Sequence, residues 1–453
     1  MKILRYAMVF VLIFSIFAFF VNPVSAQKFT YVSGIQIQNL SSSTATVHIA
    51  YIKGGTGADA GTEVTSTDTT IPGDTLIFYF PVPVTGSFYG SVVISSDQPL
   101  AAISNILSSD YKTQASYVGT STGSQTVEIP LLDKGNSGWD SWFSVQNVGS
   151  SDATVTVNYP DCGTNQPANV IIKPGASLGF YQATETCHTK TIFPATITST
   201  QPIAAVVVRE TTKVMTAYTG FASSTTNPVM PLINSNNGGI QTGINIYNLT
   251  NNPTDITVSY TPSMAGSACT ETQNVAGKTM KTFALVAFVN STNPNETCAN
   301  GVKFIGAAVV TGNSANALLT AVVTQFSPTD GAMYGAFNPS NASAKVVFPT
   351  IFDRRGSQQI WTSLSVINVG SSATSVECTF TGTTYKIGPQ TLQPGEGLND
   401  LQVNKIASNY LGGATCTATG GDQKIVGEVN VIAQSFLRIS DGFMIYEGIN
   451  LTP

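Results

Sequence analysis

Apolar and polar residues alternate along most of this chain, which predicts β-strands that bury one face and expose the other. The clearest stretch is 142–159, where two alternating runs flank an Asn-Val-Gly turn. In its first run Phe143 and Val145 point to the buried side, and Trp142 points outward. Equivalent stretches occur at 34–51, 243–260 and 363–380. The chain therefore predicts a tandem repeat built on antiparallel hairpins.

The turn asparagines of these stretches set the length of the repeat. They are Asn39, Asn147, Asn248 and Asn368, roughly 100 to 120 residues apart. This spacing is too long for a solenoid unit and fits a whole β-sandwich domain. We therefore expect an all-β protein of four tandem immunoglobulin-like β-sandwich domains, in which each turn asparagine tolerates a left-handed backbone. The expected boundaries are 27–124, 125–226, 227–343 and 344–453, after a signal peptide at 1–26.

A strand that carries a proline precedes the hairpin in the last three repeats, at Pro130, Pro231 and Pro349. Because proline lacks the N–H that a sheet ladder needs, we expect this proline strand at a sheet edge or at a switch between sheets. The first repeat lacks such a strand once the signal is removed. We expect that terminal repeats simply differ. The alternative is head-to-tail self-association, in which residues 446–453 supply a strand to a neighbouring first repeat.

The N-terminus has the features of a secretory signal. Lys2 and Arg5 precede an apolar run over 6–21, and Val24-Ser25-Ala26 places small residues where a signal peptidase reads. We expect cleavage before Gln27, because the run is shorter than the roughly 20 residues of a membrane-spanning helix. The alternative is an uncleaved anchor. The sequence thus predicts a protein that is secreted, extracellular or on the cell surface, with no membrane insertion after cleavage.

The six cysteines fall two to a repeat in the last three repeats, and the first repeat has none. An even count behind a secretory signal predicts three disulfides within repeats, each contributing on the order of 3 kcal/mol. The register places the last pair inside a core and the first pair in loops. The expected pairs are Cys162 with Cys187, Cys269 with Cys298, and Cys378 with Cys416.

Charged residues make up only 10% of the chain, and the net charge is −5. Ordinary globular proteins carry about 25% charged residues, so the solvated faces here should be hydroxyl and amide faces. The charges are spread out and form no basic stripe. We therefore expect no nucleic-acid partner.

The residues that usually carry catalysis are few and scattered. Both histidines, His48 and His188, are expected at the surface, and no Gly-x-Ser-x-Gly elbow accompanies them. The acidic residues stand singly and are also expected at the surface, as Glu63, Asp140, Glu185 and Glu210 illustrate. We expect no enzyme activity and no cofactor.

Calcium is the one ion that deserves a test, with Asp353 as the best-placed carboxylate. Arg354 and Arg355 follow it directly and would repel a cation, and no Asp-x-Asp-x-Asp-Gly loop occurs. We therefore expect no metal site.

Aromatic residues near the hairpins form a candidate ligand surface that could stack on sugar rings. The favoured alternative is packing at the junctions between successive repeats. This surface comprises Trp139, Trp142, Tyr247 and Trp361. Glycosylation triplets also occur, at Asn39, Asn248, Asn295 and Asn341.

The Val-Gln-Asn-Val-Gly turn, the Pro-Gly turns and the Ser-x-Gln-Pro-Ile-Ala-Ala strand together resemble tandem immunoglobulin-like domains of bacterial secreted and cell-surface proteins. The resemblance spans nearly all of 27–453 and concerns architecture. It implies a non-enzymatic structural or adhesive role, with cell-surface or extracellular-matrix components as partners. The alternative is a carbohydrate-binding module that recognises glycans. A hydrolase is the least favoured function.

Overall fold

The structure is a computed structural model that describes residues 28–284, 297–299, 301–327, 330–357, 359–432 and 443–451. The predicted signal peptide and the triplet at Asn295 lie outside the described residues. The described residues form an all-β protein with two short 3₁₀ turns, at Pro160–Cys162 and Pro339–Asn341. No helix in this part of the chain has the length and apolarity to cross a membrane.

The first repeat forms two sheets, with strand orders β4-β1-β6-β7 and β3-β2-β5. Ile35, Ile37, Val47 and Ile49 lie in the core between them, as the alternation predicts. Its strands are β1 (Tyr31–Asn39), β2 (Ala45–Lys53), β3 (Glu63–Ile71), β4 (Leu76–Tyr79), β5 (Gly90–Ser96), β6 (Leu100–Ser108) and β7 (Gln114–Val118).

The second repeat adds a proline strand, β8, and one long strand, β13, that belongs to both layers. The first half of β13 pairs with β8 and β10, and its second half pairs with β9 and β14. The strands are β8 (Ser124–Asp133), β9 (Asp140–Asn147), β10 (Ala153–Asn158), β11 (Val170–Ile172), β12 (Ser177–Tyr181), β13 (Ile192–Glu210) and β14 (Met215–Thr219).

The third repeat has two four-stranded sheets, ordered β15-β20-β17-β18 and β19-β16-β21-β22. The strands are β15 (Val229–Ser235), β16 (Gln241–Asn248), β17 (Thr254–Ala265), β18 (Cys269–Val275), β19 (Thr279–Phe283), β20 (Phe304–Gly312), β21 (Leu319–Phe326) and β22 (Gly331–Gly335).

The fourth repeat has sheets ordered β26-β25-β28-β23-β31 and β27-β24-β29-β30. The last strand, β31, pairs with the repeat's own proline strand, β23. The strands are β23 (Lys345–Asp353), β24 (Trp361–Asn368), β25 (Thr374–Phe380), β26 (Lys386–Leu392), β27 (Gly397–Leu401), β28 (Tyr410–Thr419), β29 (Ile425–Ile432), β30 (Phe443–Glu447) and β31 (Ile449–Leu451).

The three proline strands, β8, β15 and β23, share one arrangement. Each pairs antiparallel with the strand beside it, and each ladder shifts register at or next to the proline, where a backbone donor is missing. Just after the proline, a tyrosine from the last long strand of the repeat clamps the backbone. The Tyr218 hydroxyl donates to Leu131 O at 2.7 Å and accepts from Leu131 N. Tyr334 holds Leu232 and Tyr446 holds Thr350 in the same way.

The four turn asparagines are hydrogen-bonding hubs. The Asn147 Nδ2 donates to Ser151 O and Ile172 O, both at 2.8 Å, and its Oδ1 accepts from Gly149 N at 2.9 Å. Equivalent bonds surround the other three hubs. None of the four has a positive φ, so the expectation of a left-handed backbone is wrong. Each side chain is buried and ties the hairpin turn to the end of a neighbouring strand. The members are Asn39, Asn147, Asn248 and Asn368.

The repeats close into a ring rather than extending as a string. Their last long strands meet in cyclic order, with β7 against β14, β14 against β22, β22 against β30, and β30 against β7. Ser116 Oγ donates to Ile445 O at 2.8 Å, and this bond joins the first repeat to the fourth. Thr219 Oγ1 donates to Val118 O at 3.3 Å between the second and first repeats. Gly335 N donates to Glu447 Oε1 at 2.7 Å between the third and fourth.

The proline strands form a second set of contacts between repeats. Each one packs on the facing sheet of the next repeat: β8 on β16 and β21, β15 on β24 and β29, and β23 on β1 and β6. Gln36 Nε2, for example, donates to Pro349 O at 3.0 Å. The first repeat has no such strand among the described residues, so its contact with the second repeat is built differently.

The disulfides join the cysteine pairs expected from their spacing. Cys378 and Cys416 face each other on β25 and β28 and are buried in the core of the fourth repeat. Cys162 ends a 3₁₀ turn and Cys187 lies in the loop after β12, so their bond links two loops. Three disulfides are typical of an extracellular protein.

Candidate functional site: a groove between the first and second repeats

A groove with a cavity of about 520 Å³ lies where a proline strand of the first repeat would run. Its walls come from β1, β5, β6, β7 and the loop before β5 on one side, and from β9, β12, β13 and β14 on the other. None of its lining residues is charged. Its volume falls in the usual range of binding pockets, about 300 to 1,000 Å³.

The inner wall, formed by β5 of the first repeat, is less buried than the matching strands of the other repeats. Val92 and Ile94 of β5 are half-buried, and β5 is the last strand of its sheet. The matching residues of the second repeat, Ala195 and Ile197, are fully buried because β8 pairs beside them. The third and fourth repeats bury the matching pairs under β15 and β23 in the same way. The half-burial of β5 is therefore explained by the lack of a paired strand on this side among the described residues.

The outer wall, formed by β9 and β13 of the second repeat, is also less buried than the matching surfaces of the other repeats. Ser144, Gln146, Ala204 and Val206 of the second repeat are half-buried and line the groove. In the other three repeats the residues at these positions lie beneath a proline strand and are buried. Those residues are Gln36, Gln38, Ala101, Ile103, Asn245, Tyr247, Thr320, Val322, Ser365, Ile367, Val426 and Glu428.

Tyr117 of β7 also lines the groove. It is the counterpart of Tyr218, Tyr334 and Tyr446, which clamp the proline strands of their own repeats. No proline-strand backbone lies among the described residues for Tyr117 to hold. Burial raises the pKa of the Tyr117 hydroxyl, and the Ser104 hydroxyl beside it opposes the shift. Tyr117 thus lies where the other repeats place a tyrosine that holds a proline strand.

One end of the groove is closed by an aromatic cluster around Trp142. Trp142 is 8% exposed, and its Nε1 donates to Tyr31 Oη at 3.2 Å. Its ring packs between those of Tyr31 and Tyr181. The Tyr31 hydroxyl in turn donates to Glu210, whose carboxylate also accepts from Lys28 N at 2.6 Å. This cluster joins the start of the described chain to the second repeat.

The structure corrects part of the candidate ligand surface. Trp142 and Tyr247 do point outward from their sheets, but a neighbouring repeat covers both. Tyr247 is fully buried, with its hydroxyl 3.3 Å from Thr196 Oγ1 of the second repeat. Trp139 is half-buried under the Arg209 guanidinium at 4.3 Å, and Trp361 is half-buried with no described partner for its Nε1.

The histidines differ from each other. His48 is exposed on β2 beside Asp68, as expected. His188 was expected at the surface, and this is wrong, because its side chain is fully buried and stacks on Phe193 at 3.6 Å. Burial lowers the pKa of His188, and the Asp161 carboxylate 3.2 Å away opposes this shift. The sulfurs nearest to His188 are bonded to each other in a disulfide and offer no thiolate to a metal.

Two of the acidic residues expected at the surface are instead structural. Glu210 is buried in the Trp142 cluster, and burial raises its pKa although Tyr31 and Lys28 hydrogen-bond to it. Asp140 is half-buried and pairs with Lys28 Nζ at 2.5 Å. Glu63 is exposed and Glu185 half-buried. A lone carboxylate in the sequence cannot show which neighbouring repeat will cover it.

Asp353, the calcium candidate, is engaged by protein donors. Its buried carboxylate accepts from the backbone N–H groups of Asn404, Lys405 and Ile406 at 2.9 to 3.1 Å, and from Arg354 Nε. Burial alone would raise the pKa of Asp353, but these bonds lower it overall. This carboxylate braces the loop after β27.

Sequence reasoning missed a pair of glutamates at the junction of the third and fourth repeats. Glu428 and Glu447 face each other across β29 and β30. Glu428 is fully buried, and neither carboxyl oxygen has a hydrogen-bond partner among the described residues. Burial raises the pKa of Glu428 well above its usual range; the Ser365 hydroxyl opposes the shift and the Glu447 carboxyl reinforces it. Burial also raises the pKa of Glu447. The period-two pattern gives no signal for the pair, because it places both glutamates on the outward side of their strands, the side that a neighbouring repeat covers at Glu428.

We expect Glu428→Gln to stabilise the protein at alkaline pH. A carboxyl with a raised folded-state pKa gives full stability below its unfolded pKa and loses it as pH rises through the folded pKa. The variant should therefore match the parent near pH 4 and exceed it by about 1–3 kcal/mol near pH 9, because an unpaired buried charge is costly. Urea unfolding across this pH range measures the difference. Glu63→Gln, at an exposed carboxyl, is the control, and an equal gain there would contradict the account.

Comparisons with known proteins add little to this geometry. No family model matches the chain, and no curated protein matches it. Among solved structures, it is similar to a tetra-tandem repeat in the extending region of a large adhesion protein. That match has 10% identity, covers 95% of this chain and 97% of the other, and has a TM-score of 0.11. A TM-score this low carries no argument about fold or function.

Proposed function

We propose that this protein is a secreted, non-enzymatic structural or adhesive component of the bacterial cell surface, made of four immunoglobulin-like sandwiches. The closed ring is the observation that carries the proposal. Hydrogen bonds join the first repeat to the fourth, the second to the first and the third to the fourth, so the repeats form one body. A rigid body with few charges and several disulfides suits a load-bearing or spacing role outside the cell.

The distribution of polar groups supports a structural role over a chemical one. Three polar residues form hydrogen bonds with neighbouring loops or repeats, namely His188, Glu210 and Asp353. The turn asparagines do the same inside every repeat. These side chains hold the particle together.

Fractionation of the native cells tests the proposal. We expect the protein in the surface or extracellular fraction, with all six cysteines oxidised by mass spectrometry. A cytoplasmic protein with free thiols would overturn the extracellular role.

A glycan array run on the same material tests the carbohydrate alternative. Binding abolished by Trp139→Ala or Trp361→Ala would replace the structural role with sugar recognition.

A further inference from the structure

We propose that the groove between the first and second repeats binds an extended strand of a polypeptide of different sequence, which takes the place of a proline strand in the first repeat. This inference goes beyond the proposed function, because a rigid extracellular particle needs no such partner. It rests on the two half-buried walls, the unpaired edge of β5 and the position of Tyr117.

The edge of β5 is ready for an antiparallel partner. Asp97 N donates to Thr46 O at the end of the β2–β5 ladder. Hydrogen-bonded and non-hydrogen-bonded pairs alternate along such a ladder, so the backbone groups of Val92, Ile94 and Ser96 face away from β2. No described strand pairs with that side. A row of unpaired donors and acceptors beside an apolar groove is a template for strand addition.

The three proline strands define the chemistry of the occupant. In the second repeat Val127 faces Ile197 and Ile129 faces Ala195, and both strand residues enter the core. By equivalence an occupant would place apolar side chains opposite Ile94 and Val92. A residue soon after these would be clamped by the Tyr117 hydroxyl, as Leu131 is by Tyr218. Since the walls carry no charge, the inward side chains of the occupant should be uncharged.

The groove corresponds to three interfaces elsewhere in the molecule, in each of which a proline strand packs against the next repeat. Every other proline strand is covered on its outer side by the next repeat, and here the second repeat supplies that cover. The occupant would be held between both walls, which buries apolar surface on two sides. Two-sided burial with a ladder of backbone bonds explains why an extended strand fits better than a small ligand.

The described strands that could reach the groove are all paired elsewhere, which favours a separate polypeptide. The strands β8, β15 and β23 pair inside their own repeats, and so do β30 and β31 at the C-terminal end. Residues 446–451, which head-to-tail joining would need, include Tyr446, whose hydroxyl holds Thr350. Donating them would break the clamp of the fourth repeat.

A peptide with the sequence of residues 124–133, Ser-Gln-Thr-Val-Glu-Ile-Pro-Leu-Leu-Asp, serves as the probe. The secreted full chain, with its N-terminus determined by mass spectrometry, is titrated against the labelled peptide by fluorescence anisotropy. We expect saturable one-to-one binding and new hydrogen-exchange protection over β5. The same peptide with V127S and I129S should bind at least about 10-fold more weakly, since two buried apolar side chains are lost.

The variant Tyr117→Phe should weaken peptide binding by about 10-fold, because it removes the clamping hydroxyl and keeps the ring. Tyr111→Phe, at an exposed tyrosine of the same repeat, should leave the affinity unchanged. Equal affinities for all three proteins, or no saturable binding, would overturn the proposal. The proposal would also be overturned if mass spectrometry finds residues 16–25 retained and hydrogen exchange shows that they protect β5 in the free chain. Self-association that the peptide reverses would overturn it too, because a second copy would then fill the groove.

Discussion

Asn147→Asp should cost the protein about 3–5 kcal/mol in the free energy of unfolding, the range for leaving a buried charge without partners. The asparagine amide donates to two carbonyl oxygens, those of Ser151 and Ile172. A carboxylate of the same shape would turn its lone pairs toward both. If the introduced carboxylate is ionised, the two carbonyl oxygens repel it. If it is protonated, the protonation free energy is lost from the stability. The Gly149 N–H keeps its acceptor in both cases.

Urea unfolding followed by tryptophan fluorescence measures this loss. The matched control is Asn158→Asp, an exposed asparagine on β10 of the same repeat, which should change stability by less than about 0.5 kcal/mol. A hub variant as stable as this control would show that the asparagine bonds do not hold the hairpin. Because Asn39 and Asn248 occupy equivalent hubs, we also expect both to stay unglycosylated in the folded protein.

Trp142→Ala should lower the free energy of unfolding by about 3–5 kcal/mol, as for other buried large-to-small changes. The ring fills the junction between the first and second repeats and contacts Tyr31 and Tyr181. Its loss leaves a cavity and removes a donor from Tyr31, which also holds Glu210. Differential scanning calorimetry should show the first repeat uncoupling from the second and unfolding at a lower temperature than in the parent protein.

Trp139→Ala, three residues earlier, is the control for this prediction. Trp139 is half-buried and contacts the Arg209 guanidinium, so its removal should cost no more than about 1 kcal/mol. Equal losses for the two variants would contradict a junction role for Trp142. If Trp142→Ala abolished glycan binding and Trp139→Ala did not, Trp142 would again belong to the candidate ligand surface.

Much of the strand pattern could be predicted because the period of two is a local signal. Phe143 and Val145 lie in the core as the alternation requires, and Trp142 points out from its sheet. The core position of the last cysteine pair follows from the same register, since Cys378 and Cys416 sit opposite each other.

The ring could not be predicted, because alternation shows which side of a strand faces its own core and says nothing about what covers the other side. Trp142, Tyr247 and Glu428 all point outward from their sheets, and each is covered by another repeat. Glu210 has the sequence context of a surface residue for the same reason, whereas His188 is buried by loops and strands of its own repeat. The groove depends on two surfaces from different repeats, so no single stretch of sequence describes it.

Small-angle X-ray scattering tests the closed ring most directly. A compact particle of this length should have a radius of gyration of about 22 Å. A string of four separate sandwiches would give about twice that value and a broad distance distribution. A radius of gyration near 22 Å, unchanged by dilution, is the result that the ring predicts. A value near 45 Å would contradict it, together with the contacts between β7 and β30.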